Sequence, residues 1–352
     1  MPCNAGGCTA GTLNLMLDVL VNQVDNGNES FQNASHFCSE NTSDVIQNTT
    51  CGVTHHPHFL ETFHNSWWLS AFVPCMYSVV FFVALPLNTM AIIVFLVKVK
   101  VKKPAVVYMV NLAAADVLFV SILPFKIVYE FCGYNWLLGE GMCRFITAAY
   151  YFNMFCSVLL MASISVDRFL AVVYPMLSLS WRTVKRAWLA CFVIWAISIA
   201  STMPVFLTIE TRRISNLNIT TCHDELIAQK LNKRHANYFI TIISLFFFVP
   251  LIVTFFCYVG AIRTIKASNV DGTKERSRAI VLTVVVLCVF LFCFGPANGL
   301  FLSQFVHYVD SLYFSYNLCV CIGSISCCLD PLLYYFASSR FQGYLYSLLC
   351  CK

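Results

Sequence analysis

Seven long apolar stretches, separated by short polar loops, fill the chain from about Leu69 to Phe336. Each is long enough for a helix to cross a hydrocarbon core, which takes roughly 20 residues. Inside lipid, only helices and closed barrels satisfy every backbone hydrogen-bonding group. The pattern therefore predicts an all-α membrane protein, a seven-transmembrane helix bundle. Its odd number of crossings places the two termini on opposite sides of the membrane.

The apolar pattern also predicts the bounds of the elements. We number the spans one to seven in chain order, and they are predicted to cover residues 69–97, 105–128, 142–173, 186–206, 237–262, 277–305 and 313–336. Residues 1–66 form a polar, largely disordered tail, residues 67–337 the membrane domain and residues 338–352 a short C-terminal tail. Near one face of that tail fall Phe341, Leu345, Leu348 and Leu349. They predict a short amphipathic eighth helix along the membrane surface.

The distribution of charged residues predicts how the chain is oriented in the membrane. The chain of 352 residues is 59% hydrophobic and 11% charged, whereas soluble domains are about 25% charged. The basic residues after spans one, three, five and seven are Lys98, Lys100, Lys102, Lys103, Arg182, Lys185, Arg186, Arg263, Lys266, Lys274, Arg276, Arg278, Arg340 and Lys352. The opposite loops carry fewer. Because basic residues stay cytoplasmic, we expect a multi-pass plasma-membrane protein with an extracellular N-terminus and a cytoplasmic C-terminus. Its partners then include lipids but no nucleic acid.

Glycosylation sequons support this orientation independently. Asn-x-Ser/Thr begins at Asn28, Asn33, Asn41, Asn48 and Asn218. Acceptors of this kind mark extracellular segments. Chance matches in an Asn-, Ser- and Thr-rich stretch are the alternative, but all five lie on the side that the charge pattern calls outside.

Of the 19 cysteines, seven lie outside the spans on the predicted extracellular side. They are Cys3, Cys8, Cys38, Cys51, Cys132, Cys143 and Cys222. Disulfides form in that compartment, and an odd number means that at least one is unpaired or pairs elsewhere. On the cytoplasmic side, Cys350 and Cys351 adjoin the amphipathic helix and are palmitoylation candidates, with two plain thiols as the alternative.

Ionisable residues inside spans mark functional sites by default. Asp116 lies in the middle of span two, Asp167 and Arg168 near the cytoplasmic end of span three, and Asp330 in span seven. A buried carboxylate must be protonated, paired or bound to a cation. Asp116 and Asp330 are therefore predicted to share a sodium ion, or else to be held protonated by hydrogen bonds.

An ordered series of motifs, one set per span, resembles the rhodopsin-like (class A) G-protein-coupled receptors. The set consists of Asn88, the run Leu112 to Asp116, Asp167-Arg168-Phe169, Trp195, Pro250 with Tyr258, the run Phe292 to Pro296, and the run Asp330 to Tyr334. Longer strings at 101–108, 167–175, 178–183 and 218–224 are similar to the protease-activated receptors, especially the thrombin-receptor type. The resemblance covers everything after about residue 66.

The resemblance implies a role for particular residues. It pairs Cys143 with Cys222 in a disulfide and assigns a G-protein switch to Asp167, Arg168, Tyr258 and Tyr334. In the resting state Arg168 would be held by Asp167, with no lock to span six because Arg276 stands at the matching position. The sodium site would use Asp116, Ser157, Ser326 and Asp330. A peptide-binding mouth would use Tyr151, His223, Asp224, Leu226, Phe239, Tyr313 and Tyr316.

The implied function is that of a receptor and not of an enzyme. An extracellular serine protease would release a tethered peptide agonist, and heterotrimeric G proteins of the Gq/Gi type would carry a calcium and phospholipase C signal. Only Ser338, Ser339 and Ser347 follow span seven, so we expect weak arrestin recruitment. The alternatives are a peptide receptor activated in trans, a non-signalling decoy, and a transporter, although the internal repeats typical of transporters are not found.

The tail departs from the family pattern, because no Arg or Lys precedes Lys98 and relatives are cut after a basic residue. No convincing signal peptide is found, since Asp18 interrupts the mildly apolar Leu13 to Val21. Three explanations are open. One is a wrong first exon at the start of the chain, the second is a protease that cuts after small or aromatic residues, and the third is a receptor switched in trans.

Overall fold

The computed structural model describes residues 67–99, 101, 103–132, 135–208, 211–214, 219–222, 233–267, 274–307, 313–338, 341–344 and 346. Within this part of the chain, seven helical segments are long and apolar enough to cross a membrane. The predicted seven-helix bundle is therefore confirmed.

The observed helices contain every predicted span. Span one is Trp67–Ile93 continued by the π-helical turn Val94–Val99, span two is Pro104–Phe131, span three is Gly139–Val173 and span four is Val184–Thr208. Span five is Lys233–Ala267, and span six joins Lys274–Val289, the π-helical turn Phe290–Phe294 and Gly295–His307. Span seven consists of Tyr313–Ser324 and Ser326–Ala337.

Two short elements between spans were not predicted. A seven-residue helix, Pro175–Trp181, connects spans three and four, and we call it the loop helix. Strands β1 (Thr211–Ile214) and β2 (Ile219–Cys222) form an antiparallel hairpin between spans four and five, with Thr211 opposite Cys222. The predicted eighth helix is described only at 341–344 and 346, which are helical. The rest of it lies outside the described residues.

Span three is the central helix of the bundle and packs against spans two, four, five and six. Its Leu160 and Ile164 are fully buried. Large apolar side chains such as Phe82, Phe192 and Phe256 are instead exposed on the outside of the bundle. Such a surface is expected where the surroundings are lipid, because the tails are as apolar as the side chains.

A glycine allows spans three and five to approach closely. A Cβ atom on Gly260 would overlap Cε2 of Phe169 and would lie 3.3 Å from its Cδ2. Phe169 directly follows Asp167 and Arg168, so this contact fixes the position of the end of span three that carries both charges. We call that end of the bundle, with Lys98, Arg182 and Arg278, the basic end. We call the opposite end, which carries the bond between Cys143 and Cys222, the disulfide end.

Candidate functional site: two ends of the bundle and a polar centre

The disulfide end is closed by a pinned hairpin. Cys143 at the start of span three is bonded to Cys222 of β2, with their Cα atoms 5.7 Å apart, so the expected disulfide is present. The amide of Trp136 donates a hydrogen bond of 2.6 Å to the carbonyl of Thr220, and the amide of Cys222 donates one of 3.2 Å to the hydroxyl of Tyr129. These bonds hold β2 against the end of span two and the loop that follows it.

Outside the spans, the part of the chain that the structure describes has one further cysteine at this end. Cys132 is not part of the disulfide, and burial raises the pKa of its thiol, so it is protonated at neutral pH. Cys3, Cys8, Cys38 and Cys51 lie outside the described residues.

Aromatic side chains fill the bundle near the disulfide end. Tyr151 is buried and contacts the rings of Tyr150 and Phe155, with centroids 5.4 Å and 6.2 Å away. Phe155 in turn packs on Phe246 of span five at 4.5 Å. Of the predicted mouth residues, Tyr151 therefore belongs to a packed cluster that links spans three and five.

The other predicted mouth residues fall into two groups. Phe239, Tyr313 and Tyr316 lie on described helices. His223, Asp224 and Leu226 lie outside the described residues, as do all five sequon asparagines and the palmitoylation candidates Cys350 and Cys351.

Two carboxyls meet at the centre of the bundle. Asp116 and Asp330 both have 0% exposure, and their side chains interact with each other. None of their four oxygens receives a hydrogen bond of normal geometry from any residue that the structure describes. Buried carboxylates are costly without a compensating partner. Ser157 and Ser326 are also buried, and carboxylate and hydroxyl oxygens are the ligands that hard cations prefer.

Polar side chains around this pair connect three spans. The Asn88 amide donates 2.9 Å to the carbonyl of Cys327, and the hydroxyl of Tyr334 donates 3.2 Å to Asn88 Oδ1. In span three, the hydroxyl of Ser157 donates 3.4 Å to Asn153 Oδ1, and the Asn153 amide donates 3.7 Å to Cys327 Sγ of span seven. Tyr334 of the predicted switch is thus bonded to span one in this structure, and Tyr258 is half-buried on span five.

At the basic end, Asp167 is paired chiefly with a residue that the sequence did not single out. Arg182 donates two hydrogen bonds to its carboxylate, Nε to Oδ1 at 2.8 Å and Nη2 to Oδ2 at 2.7 Å. Arg168, the expected partner, has its Nε 3.9 Å from Oδ2. Asp167 is only 5% exposed, so the strong partner is Arg182 of the segment joining spans three and four.

A second contact joins span six to the C-terminal segment. Arg278 Nη2 donates 2.9 Å to Gln342 Oε1. The neighbouring Phe341 is 3% exposed and stacks on Phe95 of span one, with centroids 5.1 Å apart. Gln342 is therefore held in place, and it supplies a polar contact to span six.

Sequence reasoning missed Arg182, Asn153, Cys327 and Gln342 as members of these clusters. Arg182 was visible as part of a basic group, but its pairing with a residue 15 positions away depends on the path of the loop helix. Asn153 lies one helical turn before Ser157. That spacing is the signal that could have found it.

Comparison with known proteins agrees with this arrangement. Residues 87–334 match the model of the 7 transmembrane receptor (rhodopsin family). The chain is 59% identical to proteinase-activated receptor 1 of Xenopus laevis over 293 residues, which cover 83% of this chain and 70% of the relative. The human receptor of that name is 54% identical over 293 residues, 82% of this chain and 69% of the relative.

A more distant relative extends the same group. Proteinase-activated receptor 2 of Bos taurus is 39% identical over 295 residues, which cover 80% of this chain and 73% of the relative. The chain therefore belongs to the rhodopsin family of seven-transmembrane receptors, the class A G-protein-coupled receptors, and within it to the proteinase-activated receptor 1 type.

Proposed function

We propose that the chain is a plasma-membrane receptor that binds a peptide at its disulfide end and activates a heterotrimeric G protein at its basic end. The observation that carries the proposal is that span three reaches both ends of the bundle. One end is bonded to the Cys143–Cys222 hairpin, and the other presents Asp167 and Arg168. A single central helix thus joins the two working ends.

The proposed mechanism is a shift between two populations of the bundle. A ligand favours activation only if it binds the active form better than the resting form. We take the structure, in which Tyr334 is bonded to Asn88 and Arg278 to Gln342, as the resting form. Movement of span six at the basic end would break the Arg278 contact and expose Arg168 to the G protein, with Tyr258 and Tyr334 meeting in the active form.

The agonist proposed is a peptide N-terminus released by an extracellular serine protease. The names of the relatives support protease activation, and coupling to Gq and Gi with a calcium and phospholipase C response is part of the same proposal. A peptide supplied in trans is the second candidate, and it is favoured by one observation: no Arg or Lys lies in residues 1–97.

A chimaera tests this function without depending on the tail at residues 1–66. Residues 1–66 are replaced by the corresponding tail of the human relative, and the chimaera is expressed in cells that lack thrombin receptors. We expect thrombin to raise intracellular calcium. The unmodified chain is the matched control and is expected to stay silent, because its tail offers no basic cleavage residue. A chimaera that reaches the cell surface and gives no response would overturn the proposal.

We also propose that Asp116, Asp330, Ser157 and Ser326 hold a sodium ion that stabilises the resting form. Replacing Asp330 with asparagine removes one negative charge from these ligands and leaves a side chain of nearly the same size. We expect the variant to lose the thermal stabilisation that NaCl gives over choline chloride, since a ligand stabilises only the state it binds. Melting curves of purified receptor in the two salts measure this. An unchanged sodium effect in Asp330→Asn would exclude the site.

A further inference from the structure

Asp167 has two possible cationic partners, and the geometry separates them. Arg182 makes a two-pronged contact through Nε and Nη2 at 2.8 Å and 2.7 Å, while Arg168 reaches one oxygen at 3.9 Å. Charge-assisted bidentate hydrogen bonds between arginine and a carboxylate are the strong kind. Both arginines approach Oδ2, so a full contact from Arg168 would have to displace Arg182.

The loop helix fixes the position of Arg182. The backbone amide of Arg182 donates to the carbonyl of Ser178 at 2.8 Å. Arg186, at the start of span four, donates to the carbonyl of Ser180 at 3.1 Å and lies over the ring of Trp181, 5.5 Å from its centroid. The loop helix is therefore tied to span four at its end, which places Arg182 against Asp167.

The surroundings leave room for a rearrangement. Asp167 and Arg182 line a cavity of about 310 Å³ whose other walls include Leu159, Val253 and Pro250. Its walls are mainly apolar, and its polar part is formed by Asp167, Arg182 and Arg186 together with the hydroxyl groups of Ser163 and Thr183. The Asp167 carboxylate is thus not clamped on every side by packing, and its choice of partner is set by competition between Arg168 and Arg182.

We propose that Arg182 is a positioning residue that occupies Asp167 and so keeps Arg168 available to the G protein. When Arg182 is removed, the carboxylate closes onto Arg168 and holds it in the resting position. The inference rests on the proposed G-protein coupling. It differs from a simple lock between Asp167 and Arg168, because it makes a loop residue the determinant of how readily Arg168 is released.

Three variants of the full chain test the proposal by their combination. The affinity of purified receptor in nanodiscs for mini-Gα proteins of each class is measured without agonist. We expect Arg182→Ala to weaken binding about fivefold or more, the low end of the range for conformational coupling. Asp167→Asn, which releases both arginines, is expected to strengthen it. The double variant is expected to behave like Asp167→Asn, because Arg182 acts only through that carboxylate.

Lys185→Ala is the matched control for the loss of one positive charge. Lys185 is exposed at the start of span four and takes no part in the contacts that place Arg182, so this variant is expected to leave the mini-Gα affinity within about twofold of wild type, well below the range of conformational coupling. Arg182→Lys, which offers a single ammonium in place of the fork, is expected to fall between wild type and Arg182→Ala.

The outcomes are distinguishable. Binding by Arg182→Ala equal to wild type, or a double variant as weak as Arg182→Ala, overturns the inference alone. A wild-type chain that binds no mini-Gα of any class overturns the proposed function and this inference together.

Discussion

Replacing Cys222 with serine is expected to destabilise the receptor strongly and to abolish capture of a peptide at the disulfide end. The bond closes a loop with a sequence separation of 79 residues. In the chain-entropy model a disulfide of that span contributes about 4.5 kcal/mol. The hydrogen bonds at Thr220 and Cys222 do not replace it, because each contributes only about 1 kcal/mol net.

Thermal melting of the purified receptor and surface labelling of cells measure this effect. Cys288→Ser is the matched control, since Cys288 lies exposed on span six and is not disulfide-bonded. A melting temperature for Cys222→Ser equal to that of the control would show that the hairpin is held without its disulfide.

Gly260→Ala is expected to lower the stability of the bundle by about 1–3 kcal/mol, the usual cost of adding atoms to a filled core. The new methyl group would overlap the ring of Phe169, whose Cδ2 would be 3.3 Å away. Pushing this ring away also shifts the turn that carries Asp167 and Arg168. We therefore expect weaker mini-Gα binding together with a lower melting temperature.

A second substitution tests the cause of this loss. Phe169→Leu shortens the side chain that Gly260 faces, so the double variant should recover part of the lost stability. Gly299→Ala in span six is the control, because a Cβ there meets nothing within 4 Å, and alanine is the better helix former by about 1 kcal/mol. If Gly260→Ala melts like Gly299→Ala, the close approach of spans three and five is unimportant.

The spans could be predicted from the sequence because transfer into lipid depends on composition summed over about 20 residues. Composition does not predict the π-helical turns Val94–Val99 and Phe290–Phe294, because they are as apolar as the α-helices around them. The hairpin strands Thr211–Ile214 and Ile219–Cys222 are four residues each, too short for an alternating pattern to identify them.

Part of the candidate site could also be predicted from the sequence, and part could not. The meeting of Asp116 with Asp330 was predictable, since each is costly to bury alone and each lies within an apolar span. The choice of Arg182 over Arg168 as partner of Asp167 was not, because it is decided by distances of 2.7 Å and 3.9 Å across a loop helix. Sequence shows which charges exist, and tertiary geometry decides which of them touch.

The central claim is that a bundle crossing the membrane seven times carries a signal from an extracellular end to a cytoplasmic end. Antibody labelling of one epitope fused to the N-terminus and another fused to the C-terminus tests it most directly. We expect intact cells to bind only the N-terminal antibody, and the C-terminal epitope to be labelled only after permeabilisation. Labelling of both epitopes on intact cells, or of neither, would contradict it.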